Sequence, residues 1–245
     1  MRKLVAVFVS SVAVSLMSGC GVLQHGYPQQ PVPRPGAVLD FSTLYGQNCA
    51  ACHGADGKSG PALDLANPEY LAMIDDATLR KWVASGMPGT QMPAFAQSAG
   101  GMLTDAQVEA IVAGMRQRWS RSNAFEGAQP PPYAQDHAGD VQRGLQTYQA
   151  RCAMCHKQSR EEITSPLYLA LVSDQALRTF ILAGSPGIGQ PDWRHDAADA
   201  KPAPALSAQE VDDIVAYLGS LRNAASGTAA AAAQPAKAPR GRESH

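Results

Sequence analysis

Two short segments carry the residue types that could do chemistry. Cys49-Ala-Ala-Cys52-His53 and Cys152-Ala-Met-Cys155-His156 each set two thiols three residues apart and follow them at once with an imidazole. On one helical turn, thiols at that spacing can each bond one vinyl group of the same porphyrin, and the adjacent His can face its iron. The pattern is the attachment signature of c-type haem. A redox dithiol would not need the His. A zinc site would need four closing ligands per metal, and a disulfide scaffold would not confine its cysteines to duplicated motifs. Cys49 with Cys52, and Cys152 with Cys155, therefore read as the attachments of two covalent haem c groups, with His53 and His156 as proximal axial ligands.

The elements that must position these motifs come in two copies. Tyr45 to His53 matches Tyr148 to His156 at an offset of 103 residues, Tyr70 to Arg80 matches Tyr168 to Arg178 at 98, and Leu103 to Val112 matches Leu206 to Val215 again at 103. The second copy has lost five residues after its Cys motif and gained five before its last helix. Val108, Ile111, Val112, Met115 and Trp119 line one face of a helix, and Val211, Ile214, Val215 and Leu218 repeat that stripe. Thr104 with Gln107, and Ser207 with Glu210, have the spacing of capping boxes at the starts of these helices. Leu79, Trp82 and Val83 give a middle helix, matched by Leu177, Phe180 and Ile181. A further helix runs into each Cys motif, near 40–50 and 140–151. No alternating strand pattern appears. The expected fold is all-α, with two tandem small helical domains at 39–119 and 139–222, a Pro-rich linker at 120–138, and an Ala/Pro-rich tail at 223–245 that reads as disordered.

The sixth ligand of each iron decides function. Ser85-Gly86-Met87-Pro88-Gly89-Thr90-Gln91-Met92-Pro93-Ala94-Phe95 follows the middle helix of the first copy. With this loop and the Cys motifs, the chain resembles the class I cytochrome c family, including the cytochrome subunits and domains attached to respiratory complexes. The resemblance covers nearly all of 39–119 and 139–222. In that family a Gly-rich loop ends in Met-Pro and the Met sulfur binds the iron, which implies Met92 as ligand; Met87, also before a proline, sits too close to the helix. A soft thioether stabilises ferrous iron and raises the potential. The resemblance also implies that Pro61 sets its carbonyl against the His53 ring.

The second copy departs from the family. Ala183-Gly184-Ser185-Pro186-Gly187-Ile188-Gly189-Gln190-Pro191-Asp192-Trp193 aligns with the first loop column by column, and Gln190 stands in the Met column. No methionine follows Met154. Three readings stand: Gln190 binds through its amide oxygen or leaves the site to water or an external ligand; His195, as far from His156 as Met92 is from His53, supplies a nitrogen; or His195 is a loop histidine. Bis-His ligation would lower the potential relative to His/Met. Tyr45 and Tyr148 read as packing near the porphyrin edges. Arg194 reads as a surface cation, with a haem propionate as alternative partner, and Asp136 and His137 read as solvated.

Arg2 and Lys3 precede an apolar run, Leu4 to Met17, that falls short of the ~20 residues a membrane-spanning helix needs and fits a secretory signal. Ser18-Gly19-Cys20 resembles the bacterial lipoprotein cleavage site. Residues 1–19 are therefore expected to be a signal peptide, Cys20 a lipidated cysteine, and 20–38 a Pro-rich tether. A net charge of −1 argues against nucleic acid as a partner. Charged residues at 17% exclude a highly charged disordered chain. Aromatics at 6% are thin for two cores, as expected if a porphyrin fills the middle of each. No nucleophile–base pair, acid pair or phosphate loop is apparent, so an electron-transfer protein is expected rather than an enzyme. The reading is a dihaem c-type cytochrome on the periplasmic side of a bacterial cell envelope, lipid-anchored to a membrane. It would serve a respiratory chain, with redox proteins or a quinol-oxidising or terminal-oxidase complex as partners. The second reading is a haem enzyme or small-ligand-binding subunit that uses the second iron, motivated by Gln190.

Overall fold

A computed structural model describes residues 34–156, 163–195 and 204–232, with side chains as far as Arg222. The expected signal peptide at 1–19, the lipidation at Cys20, most of the tether and the tail from 233 onward lie outside the described residues. The chain divides into two units, 1–37 and 38–245. In the first, the described residues form one 3-10 turn over Pro35–Ala37, closed by the Ala37 amide on the Arg34 carbonyl at 2.8 Å.

The second unit holds both copies. The first copy comprises α1 (Phe41–Asn48), α2 (Ala50–His53), α3 (Pro68–Met73), α4 (Asp76–Ser85) and α5 (Asp105–Trp119). The second comprises α6 (Val141–Arg151), α7 (Ala153–His156), α8 (Pro166–Leu169), α9 (Asp174–Ala183) and α10 (Ala208–Ala232). Among the described residues there is no strand, only the isolated bridges Ala96–Leu103 and Ser185–Gln190. Both expected capping boxes form. The Gln107 amide donates to Thr104 Oγ1 at 3.3 Å while the Gln107 side chain accepts from the Thr104 amide at 3.0 Å, and Ser207 and Glu210 repeat the exchange at 3.3 and 2.8 Å. Pro68 and Pro166 open α3 and α8, where a missing N–H costs nothing. One boundary differs from expectation. α10 continues to Ala232, well into the segment expected to be disordered, because the run is mostly alanine, the strongest helix former.

Each copy is closed where its first helix crosses its last. In the first copy, a Cβ on Gly114 of α5 would overlap the Phe41 ring of α1. Phe41 lies edge-on to Trp119 at 5.5 Å, and so does Tyr45 at 5.1 Å. In the second copy, a Cβ on Gly144 of α6 would overlap the Asp213 carbonyl and the Tyr217 side chain of α10. Gly144 is the residue matching Phe41, and Tyr217 the residue matching Gly114. Large and small have changed helices while the close crossing is kept. The aromatic ring meets the buried motif tyrosine in both copies: Phe41 on Tyr45 at 5.5 Å, Tyr217 on Tyr148 at 5.3 Å.

A second matched pair has diverged in burial. Arg80 of α4 binds Glu109 of α5, with side chains 40% and 52% exposed. The matching Arg178 of α9 binds Asp212 of α10, at 1% and 0%. The difference is the stretch expected to be a linker, whose end is packed down. Arg178 donates to the Pro132 carbonyl at 2.7 Å and to the Tyr133 carbonyl at 3.2 Å, and Gln175 donates to Tyr133 at 2.9 Å. Asp136 and His137 are correspondingly not merely solvated. They pair with each other at 2.5 Å, and the His137 amide donates to Asp212 at 3.2 Å.

Two stability predictions follow from these contacts. Gly114→Ala overlaps the ring and Cβ of the Phe41 side chain, whereas Gly144→Ala overlaps the Asp213 backbone more closely still. Both are expected to destabilise by overpacking, on the order of 1–3 kcal/mol, with Gly144→Ala the more severe in chemical denaturation. Glu109→Ala should leave the denaturation midpoint nearly unchanged, because an exposed, solvent-screened pair contributes little. Asp212→Ala should cost about 3–5 kcal/mol by leaving Arg178 buried without its counter-charge.

Candidate functional site

The same local geometry presents both Cys motifs. α1 ends at Asn48, and the Cys49 amide donates to the Tyr45 carbonyl at 2.8 Å; the Cys152 amide donates to Tyr148 at 2.9 Å. The His53 amide then returns to the Cys49 carbonyl at 3.0 Å, and the His156 amide to Cys152 at 3.1 Å. Two thiols and an imidazole so share one helical turn in each copy. The buried Tyr45 locks the end of the first turn by donating its hydroxyl to the Gly54 carbonyl at 2.8 Å. No disulfide joins these cysteines; Cys52 and Cys155 are exposed, Cys49 and Cys152 half-buried. Burial, with a smaller push from Cys52, raises the Cys49 thiol to about 11.

His53 Nδ1 lies 2.7 Å from the Leu63 carbonyl. A carbonyl only accepts, so the neutral ring carries its proton on Nδ1 and leaves Nε2 for a metal. Burial pulls the His53 pKa down, against smaller upward pushes from the Leu63 carbonyl and Asp64. Leu63, not Pro61, therefore supplies the carbonyl. The reason lies in the fold of the intervening segment. The Ala62 amide is held by the Cys52 carbonyl at 2.9 Å and the Ser59 amide by Asp64 at 2.9 Å, which turns Pro61 outward. Burial also lowers the His156 pKa. The residues that follow it, 157–162, lie outside the described residues.

The loops after α4 and α9 share a frame. The Met87 amide donates to the Met92 carbonyl at 3.2 Å, and in matching columns the Ser185 amide donates to the Gln190 carbonyl at 2.9 Å. Each loop leaves its helix through a glycine at positive φ, Gly86 at 73° and Gly184 at 65°. Thr90 braces the first loop: its hydroxyl donates to Met87 at 2.7 Å and accepts from the Met92 amide at 3.2 Å. Met92 and Met87 are both half-buried. In the second loop, Gln190 donates its side-chain NH2 to the Phe180 carbonyl at 3.0 Å. His195 is 61% exposed, with Nδ1 at 3.1 Å from Asp192. Arg194 is not the surface cation expected. It is largely buried, forking onto Asp192 at 2.6 Å, reaching Glu69 at 3.3 Å and lying over the Phe125 ring.

This donor set fits an iron porphyrin. Each turn offers two thiols for covalent attachment and one imidazole, and His53 is already oriented from behind. Trp193, on the second loop, is buried with an indole N–H that finds no acceptor among the described residues. An orphan buried donor costs about 1–3 kcal/mol, which suits a bound group that brings carboxylates.

Sequence reasoning missed the contacts between the copies. Asn67 donates to the Ala183 carbonyl at 2.9 Å, Ser185 approaches Asp64 at 3.5 Å, and Ala183 joins the buried hydrophobic cluster of the first copy. Asn67 before Pro68 is legible as a helix cap, and it caps α3 by accepting from the Tyr70 amide at 3.1 Å. Nothing in the local sequence announces its second bond.

A family model described as "Cytochrome C oxidase, cbb3-type, subunit III" matches residues 36–113, and one described as "Cytochrome c" matches residues 141–222. Among curated proteins, the chain is 40% identical over 100 residues to a dihydro-heme d1 dehydrogenase of Pseudomonas aeruginosa, covering 37% of this chain and 19% of that protein. It is 29% identical over 131 residues to the cbb3-type cytochrome c oxidase subunit CcoP of Azospirillum sp., covering 49% of this chain and 39% of that subunit. The chain thus spans less than two fifths of either relative. Cytochrome c domains imply covalent haem c.

Proposed function

Because the chain belongs to the class I cytochrome c family, as two tandem domains, we propose that it is a dihaem electron carrier at the periplasmic side of a bacterial envelope, exchanging electrons with a terminal oxidase or a related redox enzyme. The observation that carries this reading is the duplicated turn of two thiols and an imidazole, built by the same hydrogen bonds in both copies. Cys49 and Cys52 hold one haem, Cys152 and Cys155 the other, with His53 and His156 as proximal ligands. When bound, the haem supplies a one-electron ferric/ferrous couple. The chain's own residues hold and tune it. The Leu63 carbonyl fixes the ring of His53 and raises its basicity as a ligand. Met92 offers a thioether from a loop braced by Thr90. The names of both relatives describe redox proteins, which supports a role in electron transfer. Encounters with partners would be small and transient, with a lipid at Cys20 and the tether over 20–38 keeping the carrier at the membrane.

Gln190 favours a second reading, in which the second iron takes a small external ligand. Its NH2 is committed to Phe180, so only the amide oxygen remains, a weak donor to iron. His195 is exposed and held by Asp192, which argues against it as the sixth ligand.

Absorption and paramagnetic-resonance spectra of the haem-loaded protein and three variants test this assignment. Met92→Ala should abolish the weak sulfur–iron band at the red edge, whereas an unchanged band would reassign the ligand, with Met87 next. Gln190→Met should create a second such band. His195→Ala should leave both haem signals untouched; conversion of one haem to high spin would make His195 the ligand after all.

A further inference from the structure

We propose that the first repeat positions the distal loop of the second, with Asn67 as the positioning residue; the inference rests on the reading that each repeat holds a haem. Asn67 is buried at the junction of the copies and does two jobs. Its Oδ1 caps α3. Its Nδ2 donates to the carbonyls of Ala183 and Gly184 at 2.9 and 3.4 Å. Those carbonyls end α9, where a helix leaves its last acceptors without intrahelical partners.

The neighbours of Asn67 extend the grip. Asp64 faces the Ser185 hydroxyl at 3.5 Å, and Glu69 takes Arg194 at 3.3 Å. One short segment of the first repeat thus holds the second loop where it leaves α9 and again beyond Asp192. Between these holds lies Gln190, whose backbone pairs with Ser185 in both directions, at 2.9 and 3.1 Å. A displacement of Ser185 therefore displaces Gln190. The same segment begins at Leu63, whose carbonyl orients His53. The position from which a sixth ligand must reach the second iron is set by residues more than a hundred positions earlier in the chain.

The test uses the full haem-loaded chain with Asn67→Ser and Asn67→Asp. Both keep a side-chain acceptor for the α3 cap. Serine is too short to carry a donor to Ala183, and aspartate sets a carboxylate against two carbonyls. Thr104→Ala serves as control, since it removes a cap from the same repeat without touching the loop. Midpoints are read by spectroelectrochemical titration, with the first haem identified by its sulfur–iron band, and the second haem is followed by paramagnetic resonance. Asn67→Ser should change the reduced-to-oxidised ratio of the second haem, at its original midpoint, by about fivefold, the weight of one ordinary hydrogen bond. Asn67→Asp should change it more, and the first haem should stay within twofold in both. Thr104→Ala should lower thermal stability and leave both midpoints in place. Two bound irons with an unmoved second haem in both Asn67 variants, or equal shifts of the two haems, would overturn the positioning role alone. Protein with fewer than two irons would overturn it together with the carrier reading.

Discussion

The close crossing of first and last helices is the constraint on which the rest depends. Where α1 meets α5, and where α6 meets α10, one residue must lack a side chain for the helices to approach. That approach buries Tyr45 and Tyr148, and each tyrosine carbonyl then receives the amide of the first motif cysteine. The turn carrying two thiols and a histidine is consequently aimed by packing one turn earlier. Exchange of large for small between the two crossings leaves this aim unchanged, because the ring still fills the same space beside the tyrosine.

Elsewhere the copies solve shared problems with different means. Arg116 forks onto the Leu71 and Ile74 carbonyls and Asp76. The matching carbonyls of Leu169 and Val172, with Asp174, are taken by Arg222 at 2.7, 2.6 and 2.9 Å. Arg222 lies almost one turn beyond the residue that matches Arg116, so the fork has moved along the helix while its targets have stayed. The Arg178–Asp212 pair has moved from surface to interior, where its geometry is satisfied by the Pro132 and Tyr133 carbonyls. A buried pair demands such completion, since two charges removed from water regain little unless their remaining hydrogen bonds are made. The second copy has become the dependent one: its ion pair needs the packed connection, and its distal loop needs Asn67.

Much of this was legible in the sequence, for reasons that also explain what was not. The Cys motifs, apolar stripes and capping boxes are local, and local spacing is what a sequence displays. The all-α fold followed from them. The carbonyl behind His53 belongs to a backbone group, which has no residue-type signature, so Pro61 and Leu63 could not be told apart. Asn67 and Ala183 stand 116 residues apart, and their bond depends on how the copies dock. Arg80–Glu109 and Arg178–Asp212 read alike as opposite charges on adjacent helices; only the covering chain separates them. Arg194 reads as exposed by type and is buried because Asp192 and Glu69 both meet it. The helix beyond Arg222 was hidden by composition, since an Ala-rich run serves a helix and a tail equally well.

The most direct measurement is the intact mass and iron content of the mature protein, combined with a count of thiols that react after denaturation. Four cysteines engaged as thioethers predict a mass increase of two haems, two irons per chain, and no reactive thiol among Cys49, Cys52, Cys152 and Cys155. A single haem, zinc in place of iron, or four reactive thiols in the fully matured chain would contradict the account for both copies.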